Sequence, residues 1–265
     1  LPFDVVVIGG GHAGCEAFAA ACRVGVRAAL VTPSRQAVGT QPCNPAVGGP
    51  GKGHLVREVV ALGGIMGEVT DRSGIQFRTL NRTRGPAVRA TRVQTDSAVY
   101  VLEMMVRLEQ FLDRGTLLED TATALHWKGD GPSRRITGVQ LERSGFIPTR
   151  SVVITTGTFL RGMLFIGDEM TPGGRRNTPP SVDLALSLER TGLPLIRLKT
   201  GTCPRLSGDS IDVSSLEPQP GDDPPPFFSP DTRSCALPQR TCHLTWTGEH
   251  THAIMKFVTL QNGRP

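Results

Sequence analysis

An α/β fold on a parallel sheet follows from three features at the start of the chain. Val5-Val6-Val7-Ile8, preceded by Phe3 and Asp4, is a β-branched run that stops at Gly9-Gly10-Gly11. Such a run reads as a strand buried on both faces. Small, helix-compatible residues then fill 13–24, and residues 27–32 read as a second strand. Strand, turn, helix and strand within about 30 residues make one βαβ unit.

The later elements follow from periodicity and breakers. Residues 33–53 are Gly/Pro-rich and read as irregular. A helix is expected over 54–61. A longer one is expected over 93–112, with Val99, Leu102, Val106 and Leu108 on its apolar face beside Met104 and Met105. Residues 116–125, 136–141 and 151–155 read as successive strands, with polar 128–135 as a hairpin turn. A short helix is expected over 182–190. Six prolines between residues 217 and 230 impose loop or extended chain there.

Composition bounds the function. The chain has 265 residues and a formal net charge of +5, enough length for a sizeable core. Glycine (31) and proline (21) make about a fifth of it, but no Gly-X-Y period exists, which excludes collagen. No apolar run approaches the roughly 18 residues of a spanning helix, so membrane insertion is not expected. Ten Phe, two Trp and one Tyr are too few for a single-strand binder built on base stacking. The six cysteines, Cys15, Cys22, Cys43, Cys203, Cys235 and Cys242, contain no C-x-x-C pair and read as reduced thiols.

Residues 9–14, Gly9-Gly10-Gly11-His12-Ala13-Gly14, hold G-x-G-x-x-G between a buried-type strand and a helix. In that context the motif implies a dinucleotide. Gly9 permits the tight turn, Gly11 the approach of a pyrophosphate to the helix N-terminus, and Gly14 close helix–strand contact. The acid expected at the end of the second strand is missing: Thr32-Pro33-Ser34-Arg35 stands there, and no Asp or Glu occurs between Glu16 and Glu58. The ribose is then held otherwise, or the ligand is not NAD. The position at the very start of the domain favours FAD.

Cys43-Asn44-Pro45 opens a loop that runs on to Gly51-Lys52-Gly53-His54. It is not a P-loop, because Ala46 stands at the first Gly and Gly53 follows Lys52. Lys52 and His54 are candidate cationic or proton-carrying groups. Cys43 lies in an acid-free stretch near Arg35, Lys52 and Arg57, a setting that favours thiolate chemistry. A nucleophile and a small buried loop cysteine both remain open on the residues. Arg72, Arg78, Arg82, Arg84, Arg89 and Arg92 occur with no acid from residue 73 to 95. They read either as a solvated face or as phosphate contacts to a cofactor or a nucleic acid. His243, His250 and His252 near Cys242 match no defensible zinc spacing, so no metal is assigned.

Several of these segments, taken in order, resemble the MnmG/GidA family. They are residues 9–17, Cys43-Asn44-Pro45 with Gly48-Gly49 and 51–55, Gly85-Pro86-Ala87-Val88-Arg89-Ala90, Thr156-Gly157-Thr158-Phe159-Leu160, Pro179-Pro180-Ser181, and Leu198-Lys199-Thr200-Gly201-Thr202. The resemblance runs from about residue 2 to 257; residues 259–265 carry none of it. It implies a Rossmann-like FAD/NAD(P)-binding fold of the glutathione-reductase type with part of an inserted second domain. Residues 1–200 would be the FAD-binding portion and 201–265 the start of the inserted α/β domain. It also implies modification of C5 of the tRNA wobble uridine, with methylenetetrahydrofolate as one-carbon donor, FAD as carrier and NADH as reductant. An MnmE-type GTPase would be the partner, and the whole protein a homodimer.

Position by position, the resemblance places Gly9, Gly10, Gly11, His12, Ala13, Gly14, Ala122, Thr156, Gly157 and Ser181 at FAD. Cys43 matches a proposed catalytic cysteine. Lys52, His54, Arg84 and Arg89 are candidates for substrate or phosphate. Two departures stand out: Cys203 occupies a position where the family pattern has Pro, and Thr40-Gln41-Pro42 replaces a Gln-Met-Ser-like triplet. Family members are more than twice as long, so the second catalytic cysteine, the NAD-related segment and the helical C-terminal domain are expected beyond Pro265. The chain alone is expected to be inactive. A general FAD-dependent oxidoreductase and a non-catalytic FAD- or partner-binding fragment are the alternatives. The basic balance points to a mitochondrial location, with the cytoplasm as the alternative.

Overall fold

The computed structural model describes residues 3–262, with side chains as far as residue 257. In chain order the elements are β1 (Val5–Ile8), α1 (His12–Arg23), β2 (Ala28–Thr32), β3 (Ala46–Gly48), α2 (Lys52–Ala61), α3 (Met66–Ser73), β4 (Gly74–Leu80), β5 (Ala90–Thr95), α4 (Ser97–Glu109) and β6 (Gly115–Glu119). There follow β7 (Ala122–Lys128), β8 (Arg135–Leu141), β9 (Gly145–Pro148), β10 (Ser151–Ile154), β11 (Met163–Ile166), β12 (Glu169–Pro172), α5 (Val182–Glu189), β13 (Glu217–Gln219), β14 (Cys242–Leu244) and α6 (Glu249–Asn262). The final residues of the 259–265 stretch lie outside the described residues.

The centre is a four-stranded sheet in the order β10-β1-β2-β6, parallel throughout. Alternate residues of β1 and β2 feed two cores. Val7 and Leu30 face α1 and α4, joining Phe18, Cys22, Tyr100, Met104 and Leu108. Val6, Ile8, Ala29 and Val31 face the antiparallel sheet β7-β8-β9 and α5, joining Leu125, Val139, Leu141, Leu184 and Leu188. Burial on both faces accounts for the unbroken apolar runs of these strands. Helix α1 packs through Cys15, Phe18, Ala19 and Cys22, a single helical stripe.

Two expected elements divide. The helix expected over 93–112 is a strand to Thr95 and a helix from Ser97. Asp96 separates them, its carboxylate accepting from Ala98 N at 2.9 Å and Val99 N at 3.1 Å, an N-cap that competes with continuing the helix upstream. The strand expected over 116–125 becomes β6 in the parallel sheet and β7 in the antiparallel one. The break falls at Asp120. Helix α2 begins at Lys52, two residues before the expected start. Helix α3, β4 and the β11–β12 hairpin occur where no element is expected from periodicity.

Two buried carboxylates hold the crossings. Asp120 is 1% exposed and accepts from Ser144 Oγ at 2.6 Å, Thr121 N at 2.7 Å, Ser144 N at 2.8 Å and Arg143 N at 3.1 Å. Burial works to raise its pKa, but these donors together hold it down to about 2. Asp71, on α3, accepts from Ser229 N at 2.8 Å, Phe228 N at 2.9 Å and Thr232 Oγ1 at 3.0 Å. Burial raises its pKa despite those bonds. It ties residues 228–232 onto the α3 side of the sheet β3-β5-β4, where Phe228 enters the core. Nearby, Asp222 N donates to Phe77 O at 2.7 Å and Arg240 N to Ile75 O at 2.7 Å.

Because the folded pKa of Asp120 lies below its unfolded value, its contribution is present above about pH 4 and is lost as pH falls toward 2. In Asp120→Asn that acid-sensitive part, roughly 2 kcal/mol, should vanish from urea unfolding curves between pH 5 and 2. The variant should be weaker than the wild type at pH 7 by a similar amount.

Candidate functional site

The strands of the parallel sheet point their C-terminal ends at one edge, where open α/β sheets bind ligands. The Gly9–Gly14 turn leaves β1 there. Gly9 has φ +107°, and a Cβ on it would lie 2.5 Å from Thr155 O. A Cβ on Gly14 would lie 1.8 Å from Gly9 O. Gly10 is pressed by Thr32, whose Oγ1 would stand 2.9 Å from an added Cβ. Gly11 differs from all three. It is the N-cap of α1 in extended backbone, with no side-chain cap and no acid in the first turn, and an added Cβ would meet nothing within 4 Å. The turn therefore leaves open space at the positive end of a helix, the setting that receives a phosphate group.

The other residues assigned by resemblance collect at the same edge. Thr155, after β10, donates through Oγ1 to Ile8 O at 2.9 Å and Gly9 O at 3.0 Å. That bond seats Thr156 and Gly157 beside the turn; Gly157 is left-handed at φ +56°. Ser181 precedes α5 and is bound to the segment after Gly157 through Ser181 N to Phe159 O at 2.8 Å. Ala122 is buried at the start of β7, just past the end of β6. His12 and Ala13 form the first turn of α1. Burial lowers the His12 pKa, and its Nδ1 lies 3.2 Å from Tyr100 Oη, so a neutral imidazole stands at the helix start at pH 7. An acid does stand by the end of β2, contributed by β6: Glu119 pairs with Arg35 at 3.3 Å. Adjacency of β2 and β6 is a tertiary fact, and spacing along the chain could not find it.

The Cys43 loop is joined to the turn by Gly39 N donating to Gly10 O at 2.9 Å. Cys43 is half-buried, with a free thiol. Its Sγ donates to Gly201 O at 3.0 Å. Buried Gln41 holds Thr95 Oγ1 at 2.8 Å through Oε1, while its Nε2 is buried with no partner. A donor left this way invites an acceptor from a ligand.

Of the four cationic candidates, the structure brings two together. His54 and Arg89 line a cleft of about 240 Å³ with Arg57, Thr79, Thr91 and Pro226. Lys52 and Arg84 do not line it. Arg57, which the sequence reading did not select as a site residue, donates to Thr91 Oγ1 at 2.8 Å and stacks over Phe228. The six-arginine stretch has mixed roles, for Arg72 pairs with Glu68 at 3.2 Å and Arg82 with Asp222 at 2.6 Å. Among the described residues no three His, Cys, Asp or Glu converge as metal ligands. No described helix is long and apolar enough to cross a membrane.

Against known proteins, the family model for glucose inhibited division protein A matches residues 4–261. The tRNA uridine 5-carboxymethylaminomethyl modification enzyme MnmG of Syntrophotalea carbinolica is 46% identical over 256 residues, covering 96% of this chain and 40% of that protein. The enzyme of the same name from Chlamydia muridarum is also 46% identical, with 96% and 41% coverage. Aquifex aeolicus GidA superposes with a TM-score of 0.88 at 42% identity, covering 96% of this chain and 42% of that one. A GidA-related protein from Thermus thermophilus shares the fold at a TM-score of 0.53 and 22% identity.

Two glycines of the motif should separate on substitution. Gly14→Ala should cost about 3 kcal/mol, the upper part of the range for overpacking, since backbone must move. Gly11→Ala should cost less than about 1 kcal/mol, the range for an exchange at an open N-cap. Denaturant unfolding of both variants checks this.

Proposed function

We propose, from the premise that this chain belongs to the glucose inhibited division protein A family, that it forms the FAD-binding portion of an enzyme modifying C5 of the tRNA wobble uridine, U34. The chain spans about 40% of the length of the curated relatives it matches. The reading therefore concerns the longer protein, and the present chain is expected to bind flavin without modifying tRNA.

The observation that carries the reading is the open helix N-terminus at Gly11, next to Gly10, whose carbonyl accepts from Gly39 N four residues before Cys43. The residues fit FAD: the backbone N–H groups of α1 would hold its pyrophosphate, with Ala122, Thr156, Gly157 and Ser181 around them. When bound, FAD supplies two-electron redox and one-carbon carrier chemistry, with methylenetetrahydrofolate as the donor and NADH as the reductant in this proposal. Cys43 serves at the uridine ring as a covalent or acid–base thiol. His54, Arg57 and Arg89 offer their cleft to tRNA phosphate, a sequence-independent contact that falls with salt. An MnmE-type GTPase as partner, a homodimer and a mitochondrial location complete the proposal.

Fluorescence titration of this chain with FAD tests the cofactor. Gly11→Val should keep the wild-type circular dichroism and lose flavin affinity at least tenfold, because the added branch fills the phosphate approach. A folded Gly11→Val that binds flavin as the wild type does would overturn the assignment.

In the longer protein, Cys43→Ser should retain flavin and lose wobble-uridine modification, read by mass spectrometry of digested tRNA. Unchanged modification would leave this cysteine a structural residue.

A further inference from the structure

We propose that Cys43 and Cys203 are an oxidisable dithiol, a modification site that a hydroperoxide converts to a disulfide. The loop at residues 40–45 and the segment at 201–205 are far apart in the chain, yet three hydrogen bonds interlock them. Cys43 Sγ donates to Gly201 O at 3.0 Å, and Cys203 Sγ donates to Asn44 Oδ1 at 3.0 Å. Each thiol thus reaches across to a residue near the other in sequence. Arg205 closes the arrangement, with Nη2 donating to Cys43 O at 2.8 Å and Nη1 to Cys203 Sγ at 3.2 Å. One guanidinium therefore touches the backbone of the first cysteine and the sulfur of the second.

The other four thiols are placed differently. Cys15 and Cys22 are 0% exposed within the core, Cys235 packs against that core, and Cys242 Sγ donates to Gln76 Oε1 at 3.3 Å. Cys203 is exposed while Cys43 is half-buried, so the reagent meets Cys203 first. The segment around Cys203 has no regular element between α5 and β13 apart from one 3-10 turn. It can therefore adjust to the close Cβ approach that a disulfide requires.

The step balances in two halves. The Cys203 sulfur attacks the peroxide, the O–O bond breaks, and a sulfenic acid forms as the alcohol, or water from hydrogen peroxide, departs with the thiol proton. The Cys43 sulfur then attacks that sulfenic sulfur, the S–S bond forms, and water leaves with the second thiol proton. Two thiols lose two electrons and one peroxide gains them. The bond would withdraw Cys43 from any chemistry at the site. That consequence rests on the role proposed for Cys43; the bond itself does not.

The test uses this chain, free of flavin, with an equivalent of hydrogen peroxide, followed by alkylation, digestion without reduction and mass spectrometry. The expected product is a single cross-linked peptide joining Cys43 and Cys203, reverted by dithiothreitol and absent from Cys43→Ser and Cys203→Ser. In Cys43→Ser, Cys203 should instead accumulate as a dimedone-reactive sulfenic acid, at least fivefold above the wild type. Equal dimedone labelling in the two proteins with no cross-link would overturn the proposal, as would cross-links joining Cys203 to Cys235 or Cys242. Cys203→Ala, which removes the thiol alone, should fold and form no cross-link; a peroxide-induced disulfide at Cys43 in that variant would equally refute the pairing. A chain that forms the bond but binds no flavin would refute the proposed function and leave this inference standing.

Discussion

The close approach of α1 to the β1–β10 pair governs everything built around it. Gly14 lies so near Gly9 O, and Gly9 so near Thr155 O, that neither position has room for a Cβ. Thr155 seals the contact by donating to the carbonyls of Ile8 and Gly9. Any side chain there would lift the helix from the sheet. The cost would spread, because α1 also supplies Phe18 and Cys22 to the core. With the contact made, the N-terminus of α1 points at the ligand edge of the sheet, with Gly11 left open.

The same edge gathers residues from separated parts of the chain, and buried polar groups fix the chain where it crosses between layers. Asp120 turns the chain from one sheet into the next by satisfying four donors at once. A carboxylate so placed costs desolvation, and the charge-assisted bonds offset it. Asp71 does comparable work at the other end, fixing residues 228–232 over α3 with a set of three donors. The cleft at His54, Arg57 and Arg89 exists because that segment is held in place: Pro226 lines it and Phe228 lies under Arg57.

Sequence reading served well wherever the determining interactions were local. The first βαβ unit and α5 could be read from periodicity and breakers, as could the hairpin turn between β7 and β8. It failed where sheet membership decided the outcome. Residues 91–95 alternate in burial and pair with β4, but their composition joins smoothly to the helix that follows Asp96. Residues 116–125 read as one strand, and only the buried Asp120 reveals that two sheets meet there. The acid by the β2 edge was missed for the same reason, since Glu119 reaches Arg35 across strands and not along one.

The sequence by itself determined the glycine turn and the parallel sheet that carries it. Glycine spacing and β-branched runs act within a few residues and so survive in a linear reading. Only the tertiary structure decided which candidates meet. It put Arg57 with His54 and Arg89, and left Lys52 and Arg84 outside that cleft. It also set Cys203 against Asn44 of the Cys43 loop across 159 residues of chain. Those encounters depend on how α2, the sheet β3-β5-β4 and the segment after α5 pack in three dimensions, and long-range packing leaves no period in the sequence to read.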